Sequence, residues 1–373
     1  MKKNKTAELF LVLLILIVMS AGMLILQNGM EKLQSVEQQS VYVPETRDLY
    51  NNYGLKNDQF LSKTKILETQ DQVIYTDRIF NINQISEDHI SYAADIMKAL
   101  QKKSGKDTYI MPIPERAVFE NGYENEKEKY SDFTEKLEAS FSDPSVVLNP
   151  LSELEKHQYE YIYFRTGNSW TMRGAFYGAQ VILGELGYDK ENLDAYREYV
   201  FGTFEGNLLL EALEKYTTDE IKKDIENMEK EPFYIYMNGS NPNREELTFE
   251  NKAGQLQTLK RQMIQFNSSG SNAVIGSDYD HSIVEGKGKG QRKGNLLLIA
   301  DTRGKMMISY LSEIFEKVYV SNIYEDVDLI QNLDEILEKY NIEYVIWAQD
   351  VAETGNRSYM KALNPLLKEG GIV

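Results

Sequence analysis

The chain has 373 residues, 42% of them hydrophobic, enough for one large domain or two modest ones with a full apolar core. Its formal net charge of −17 repels a phosphate backbone, which disfavours nucleic acid as a partner. The absence of cysteine excludes structural disulfides, thiolate zinc sites, a cysteine nucleophile and a lipid-modified cysteine anchor. The chain carries three histidines, His89, His157 and His281, so a histidine-rich metal site is not expected, and no cofactor is implied. The 25 tyrosines could face sugar rings, but their first expected use is in core and strand positions.

Leu9 to Leu26 is an apolar run interrupted only by Ser20 and Gly22. At about 1.5 Å per residue it spans about 27 Å, close to the thickness of a hydrocarbon core. Lys2, Lys3 and Lys5 precede it, and by the positive-inside rule that end stays in the cytoplasm. The expected organisation is therefore a cytoplasmic tail over 1–7, a transmembrane anchor over 8–27 and a polar linker over 28–50. An extracytoplasmic domain over 51–373 follows. A cleaved signal peptide is the competing reading, but Ser20-Ala21-Gly22 matches a cleavage site poorly and lies inside the apolar run.

Val73-Ile74-Tyr75 and Ile79-Phe80 predict a small hairpin. Ser86 is a plausible N-cap for a helix running to about Lys103, with Ile90, Ala93, Ala94, Met97 and Leu100 on one face and Gly105 ending it. Thr108 to Ile113 reads as a strand stopped by Pro112 and Pro114. Glu124 to Phe141 reads as an amphipathic helix, Val146 to Leu148 as a strand, Leu151 to Gln158 as a short helix and Tyr159 to Phe164 as a strand. Thr166 to Met172 is a predicted loop before a helix from Arg173 to Leu186. Gly202 to Ile283 looks irregular apart from a strand at Phe233 to Met237. Gly286 to Gly294 alternates glycine with lysine and arginine, but lacks the ending that would make it a phosphate loop.

The last part has the clearest periodicity. Leu296–Ala300, Val318–Val320 and Tyr344–Trp347 read as buried strands, separated by helices over Lys305–Phe315 and Asp326–Tyr340. That is β-α-β-α-β, a parallel sheet covered by helices. Ligands of such sheets bind beyond the carboxyl ends of the strands. There the first strand delivers Asp301-Thr302-Arg303-Gly304. A hydroxyl at that turn could act as a nucleophile, with helix amides as an oxyanion hole. A second rim element is Arg165-Thr166-Gly167-Asn168-Ser169-Trp170-Thr171.

This second block, followed by Gly174-Ala175 and a tyrosine-containing helix, resembles the signature of the DHHW family. These are SGNH-hydrolase-like envelope proteins related to alginate O-acetyltransferases, and their block reads Arg-Thr-Asp-His-His-Trp-Thr. Met111-Pro112-Ile113-Pro114, Val200-Phe201-Gly202-Thr203-Phe204, Asp278-Tyr279 and Leu297–Thr302 resemble further family segments in the same order. The resemblance spans roughly Ile79 to Trp347. It implies an SGNH/flavodoxin-like three-layer α/β domain with a mostly parallel central sheet, behind one N-terminal transmembrane helix.

Carried over residue by residue, the resemblance places the family's catalytic Asp on Gly167, its first His on Asn168, its second His, the expected base, on Ser169, and its nucleophilic Ser on Thr302. Trp170 and Asp301 match. A hydroxyl is a weak nucleophile until a base takes its proton, and the third member of a triad orients that base. Glycine and serine can do neither. The expected protein is a degenerate, non-catalytic member that binds or scaffolds in the envelope. Trp170, Arg165, Asn168, Asp301 and Arg303 are its candidate binding residues, and an envelope polysaccharide or a membrane acyltransferase its candidate partner. Two alternatives stand beside it. One is an active O-acyltransferase or esterase with Thr302 as nucleophile and His281 as an unorthodox base. The other is a purely structural domain. A deep pocket near Trp170, Arg165 and Arg303 favours ligand binding; a filled rim favours structure alone.

Overall fold

The computed structural model describes residues 64–190, 192–216, 219–228, 231–237, 246–250, 256–259, 281–285 and 294–369. The expected tail, anchor and linker, residues 51–63, Asp278-Tyr279 and most of the Gly286–Gly294 stretch lie outside them. No helix among the described residues is long and apolar enough to cross a membrane.

Chain order begins with β1 (Lys65–Glu68), β2 (Gln72–Tyr75) and β3 (Ile79–Asn81), which form a three-stranded antiparallel sheet. The predicted hairpin is its β2–β3 half. Helix α1 (Glu87–Ser104) starts where expected: the Ser86 side chain accepts from the Asp88 N–H, and Glu87 and Asp88 sit in the first turn, favourable to the helix dipole. It stops at Gly105 in the left-handed conformation, φ 59°. Next come β4 (Asp107–Ile113), α2 (Glu124–Glu138), α3 (Leu151–Lys156) and α4 (Met172–Glu185). Strand β5 (Arg197–Phe204) pairs with β6 (Glu231–Met237) across α5 (Asn207–Lys215) and α6 (Asp219–Glu226). Strands β7 (Glu246–Glu250), β8 (Leu256–Leu259) and β9 (His281–Glu285) precede the C-terminal series: β10 (Asn295–Ala300), α7 (Thr302–Lys305), α8 (Ile308–Ile314), β11 (Lys317–Asn322), α9 (Leu329–Lys339), β12 (Ile342–Asp350) and α10 (Pro365–Glu369).

The central sheet has the order β4-β12-β10-β11-β9-β7-β8. Its first four strands are parallel; β9, β7 and β8 extend it antiparallel. The mostly parallel sheet predicted from the C-terminal periodicity is therefore present, with an antiparallel flank added to it. Strand alternation assigns the two faces. Leu296, Leu298, Val318, Val320, Ile346 and Ala348 pack against α4 and α8, whose Phe176, Ile182, Tyr310 and Leu311 are buried with them. Leu297, Ile299, Val345 and Trp347 pack against Met97 and Leu100 of α1, Phe133 of α2 and Leu333 of α9. Helices on both faces of one sheet make three layers.

The strand expected over Thr108–Ile113 is β4, which tolerates Pro112 because it is an edge strand and needs no ladder donor on the open side. Other expectations fail for physical reasons. Tyr159–Phe164 is not a strand but a turn-rich segment with one isolated bridge, Tyr163 to Trp170; its hydroxyls are consumed by distant partners, Tyr163 by the Pro114 carbonyl and Tyr161 by Glu231. Val146–Leu148 forms the end of a 3-10 turn and one bridge, Val147 to Ile110. The stretch read as irregular holds α5 and α6. The helix expected over Lys305–Phe315 is broken into α7 and α8.

Candidate functional site

Strand β10 ends on the C-terminal rim of the parallel strands, and the next residue is fixed on all sides. Asp301 caps α7: Oδ1 accepts from the Gly304 N–H at 2.8 Å and Oδ2 from the Asp350 N–H at 3.0 Å. Gly304 must be glycine, since a Cβ there would lie 2.7 Å from the Ala348 carbonyl oxygen and 2.8 Å from Ala300 Cβ. This seating of α7 on the sheet brings Thr302 to the rim, half-buried, and its hydroxyl has no hydrogen-bond partner among the described residues.

The loop 164–171 folds over the same rim. It is closed by Phe164 N–H to the Ser169 carbonyl at 3.1 Å and Thr171 N–H to the Ile162 carbonyl at 2.9 Å. Its turn is held from below by Glu231, whose carboxylate is 0% exposed. Glu231 accepts from the Arg165 N–H at 2.6 Å, the Thr166 N–H at 2.8 Å, the Thr166 hydroxyl at 2.5 Å and the Tyr161 hydroxyl. The Arg165 guanidinium lies 3.8 Å away. Four donors converging on one carboxylate fix the loop and offset the cost of burying its charge.

Arg303 ties the loop to the sheet. Its Nε donates to the Asn168 carbonyl at 2.8 Å, and its guanidinium pairs with Asp350, with Asp301 at 3.6 Å and Glu115 at 3.9 Å. Burial, and then the neighbouring Asp350, push the Glu115 carboxyl well above the usual carboxylate range.

Gly167, Asn168, Ser169, Asp301, Thr302 and Arg303 line one cavity of about 400 Å³. The rim elements singled out from the sequence are thus brought together. Phe164, Phe204 and Leu210 form its apolar side; Glu205, Asn207, Tyr324 and Glu353 complete it. Two of the predicted binding residues do not line it. Trp170 is fully buried: its indole N–H donates to the Arg303 carbonyl at 2.9 Å, a Cβ on Gly174 would lie 2.8 Å from its Cβ, and one on Gly178 would lie 2.6 Å from its ring. Arg165 is turned toward Glu231. Asp301 and Arg303 line the cavity, but their polar atoms are committed to the cap and the clasp.

Gly167 and Ser169, where the resemblance places an acid and a base, are closely packed. A Cβ on Gly167 would sit 3.0 Å from Phe204 Cε1. Phe204 stacks on Phe164 with ring centroids 4.0 Å apart, so an aromatic ring occupies the space an acid would enter. The Ser169 hydroxyl contacts the Met306 sulfur at 3.4 Å. The expected oxyanion donors are curtailed, because α7 is four residues long and its Gly304 N–H belongs to Asp301. None of the histidines lines the cavity. His281 begins β9 opposite Ser321 and stacks on Tyr319, His157 pairs with Glu160 at 2.6 Å, and His89 lies in the first turn of α1. No group of acidic or imidazole side chains among the described residues could hold a metal ion.

Sequence reading missed Glu231, Tyr324 and Glu353. Glu353 lies just past β12 and receives a hydrogen bond from the Tyr324 hydroxyl. Burial, then repulsion from Asp350 and Asp301, push its carboxyl up to about 7. The same surroundings raise the Tyr324 phenol.

The rim thus carries a strand–Asp–Thr turn beneath an Arg-Thr-x-x-x-Trp-Thr loop, on a three-layer α/β domain with a mostly parallel sheet. The model of the family described as DHHW protein matches residues 72–321, and the chain belongs to that family. Solved structures are similar to the chain, the first two described here sharing its fold. A DHHW family protein from Eubacterium siraeum DSM 15702 is 19% identical, with TM-score 0.63 over 81% of this chain and 98% of its own. Bacillus cereus PatB1 with a sulfonyl adduct is 12% identical, with TM-score 0.57 over 80% of this chain and 97% of its own. The O-acetyltransferase domain of Pseudomonas putida AlgJ is 10% identical, with TM-score 0.45 over 83% of this chain and all of its own. No curated protein matches the chain.

Proposed function

We propose that this chain is a membrane-anchored, extracytoplasmic DHHW protein with an SGNH-like domain that binds a cell-envelope glycan in the rim cavity without performing acyl transfer on it. The observation that carries this reading is the state of the rim. The scaffold is kept, with Asp301 capping and Trp170 bonded to Arg303, and a cavity of about 400 Å³ stays open. The position of the acid is packed by Phe204, and no imidazole lines the cavity. An enzyme of this kind needs a base in reach of its hydroxyl. A purely structural role leaves an open cavity with an unpartnered Thr302 hydroxyl unexplained. The anchor rests on the apolar run Leu9–Leu26 and its flanking lysines.

The test is ester turnover by the full-length chain in detergent, with an aryl acetate and with an O-acetylated envelope glycan. The expected rate equals that of buffer, and Thr302→Ala leaves it unchanged. Turnover that Thr302→Ala abolishes would overturn the reading.

A further inference from the structure

The charge of the ligand can be read from the walls of the cavity, given the reading of that cavity as a glycan site. Arg303 is the one cationic side chain among the described residues that line it, and its guanidinium is already engaged by Asp350 and the Asn168 carbonyl, with Asp301 and Glu115 close by. It has little charge left for a ligand anion. Glu353, by contrast, is half-buried, and one of its oxygens is taken by the Tyr324 hydroxyl. It faces Asp350 from its own segment, Asp301 and Arg303 from the turn after β10, and Tyr324 from the turn after β11. The repulsion that raises its carboxyl reports a negative potential in this corner, and a cation placed there is stabilised by that same potential. Phe204 and Leu210, the latter 53% exposed, also line the cavity and offer apolar surface to a ring.

We propose that the cavity takes a sugar residue bearing a protonated amine, with its ring against Phe204 and Leu210 and its ammonium toward Glu353, and that it rejects uronates. The amphipathic walls match a pyranose, which has an apolar face and a polar edge. The carboxylate excess selects among pyranoses by charge.

A matched series tests this: methyl 6-amino-6-deoxyglucoside, methyl glucoside and methyl glucuronide, which share one ring and differ only at C6. Binding to the full-length chain in detergent is measured by calorimetry at pH 8.5 and pH 5.5. The sugar oxygens hold this amine below a simple alkyl amine, yet most of it is protonated at pH 8.5 and all of it at pH 5.5. At pH 8.5 the amino sugar binds at least about tenfold more tightly than the glucuronide, with the neutral glucoside between them. At pH 5.5, with Glu353 protonated, that preference shrinks several-fold. Glu353→Gln reduces the preference at pH 8.5 to its pH 5.5 value while the glucoside still binds, which also reports that the variant is folded. Equal binding of all three, a preference for the glucuronide, no binding of any, or a preference insensitive to both pH and Glu353→Gln overturns the proposal. These readouts involve no ester, so a failure here is separate from the appearance of turnover at Thr302, which would instead overturn the non-catalytic reading.

Discussion

At the scale of single residues, Trp170 and Gly167 contrast in what holds them, which bears on the proposed non-catalytic reading. Trp170 is held by packing on Gly174 and Gly178 and by its bond to Arg303, none of which depends on turnover. Truncating it to alanine is expected to cost about 3–5 kcal/mol in a urea titration, as for other fully buried aromatics. Gly167 is held by Phe204. Rebuilding the triad with Gly167→Asp, Ser169→His and Thr302→Ser is therefore expected to give no esterase activity by itself, whereas the same set with Phe204→Ala restores measurable turnover. Activity in the triple variant alone would show that Phe204 is no obstacle. The loop and the Asp301-Thr302 turn were legible in the sequence, because each is a contiguous string of residues with an ordered counterpart in a family. Glu231, Tyr324 and Glu353 were not. Each acts through a contact tens of residues away, such as the 66 residues separating Glu231 from Arg165, and no local pattern marks an acidic residue as buried.

The elements divide in the same way. Helix α1 was readable to within a residue because its cap, its first-turn acids and Gly105 are local signals. Strands β10, β11 and β12 were readable because a strand buried on both faces is apolar throughout. Helix α7 was misread, since its start depends on Asp301 reaching both Gly304 and Asp350. The loop was expected over Thr166–Met172 and its core was read, although Met172 already begins α4 and the force that shapes the loop comes from β6. Glu231→Ala leaves two backbone N–H groups and two hydroxyls without their acceptor, and the expected loss is roughly 3 kcal/mol or more. Glu231→Gln keeps one acceptor oxygen and is expected to lose less. Amide hydrogen exchange at Arg165 and Thr166 should rise in both variants, and unchanged protection would contradict the role assigned to this carboxylate.

For the whole molecule, the cluster beneath the cavity makes stability depend on pH. Glu353 titrates near 7 in the folded chain against an ordinary value of 4.5. The folded state therefore holds the proton more tightly than the unfolded state. The stabilisation is fully present below about pH 4.5 and is lost as pH rises through 7, an effect of roughly 3 kcal/mol. Glu353→Gln should flatten the fall in melting temperature over that window; an unchanged slope would mean that Glu353 is not the group responsible. The helix-covered parallel sheet that supports this cluster followed from the C-terminal β-α-β-α-β rhythm, and its three layers from the family resemblance, whereas the antiparallel flank followed from neither, because β7 and β8 carry no comparable periodicity. The central claim is that Thr302 sits in a binding cavity and is not an activated nucleophile. It is tested most directly by exposing the full-length chain to a sulfonyl fluoride, with PatB1 as the reactive reference, and reading intact and peptide masses. An unmodified Thr302 is the expected result; a sulfonyl adduct mapped to its oxygen would contradict it.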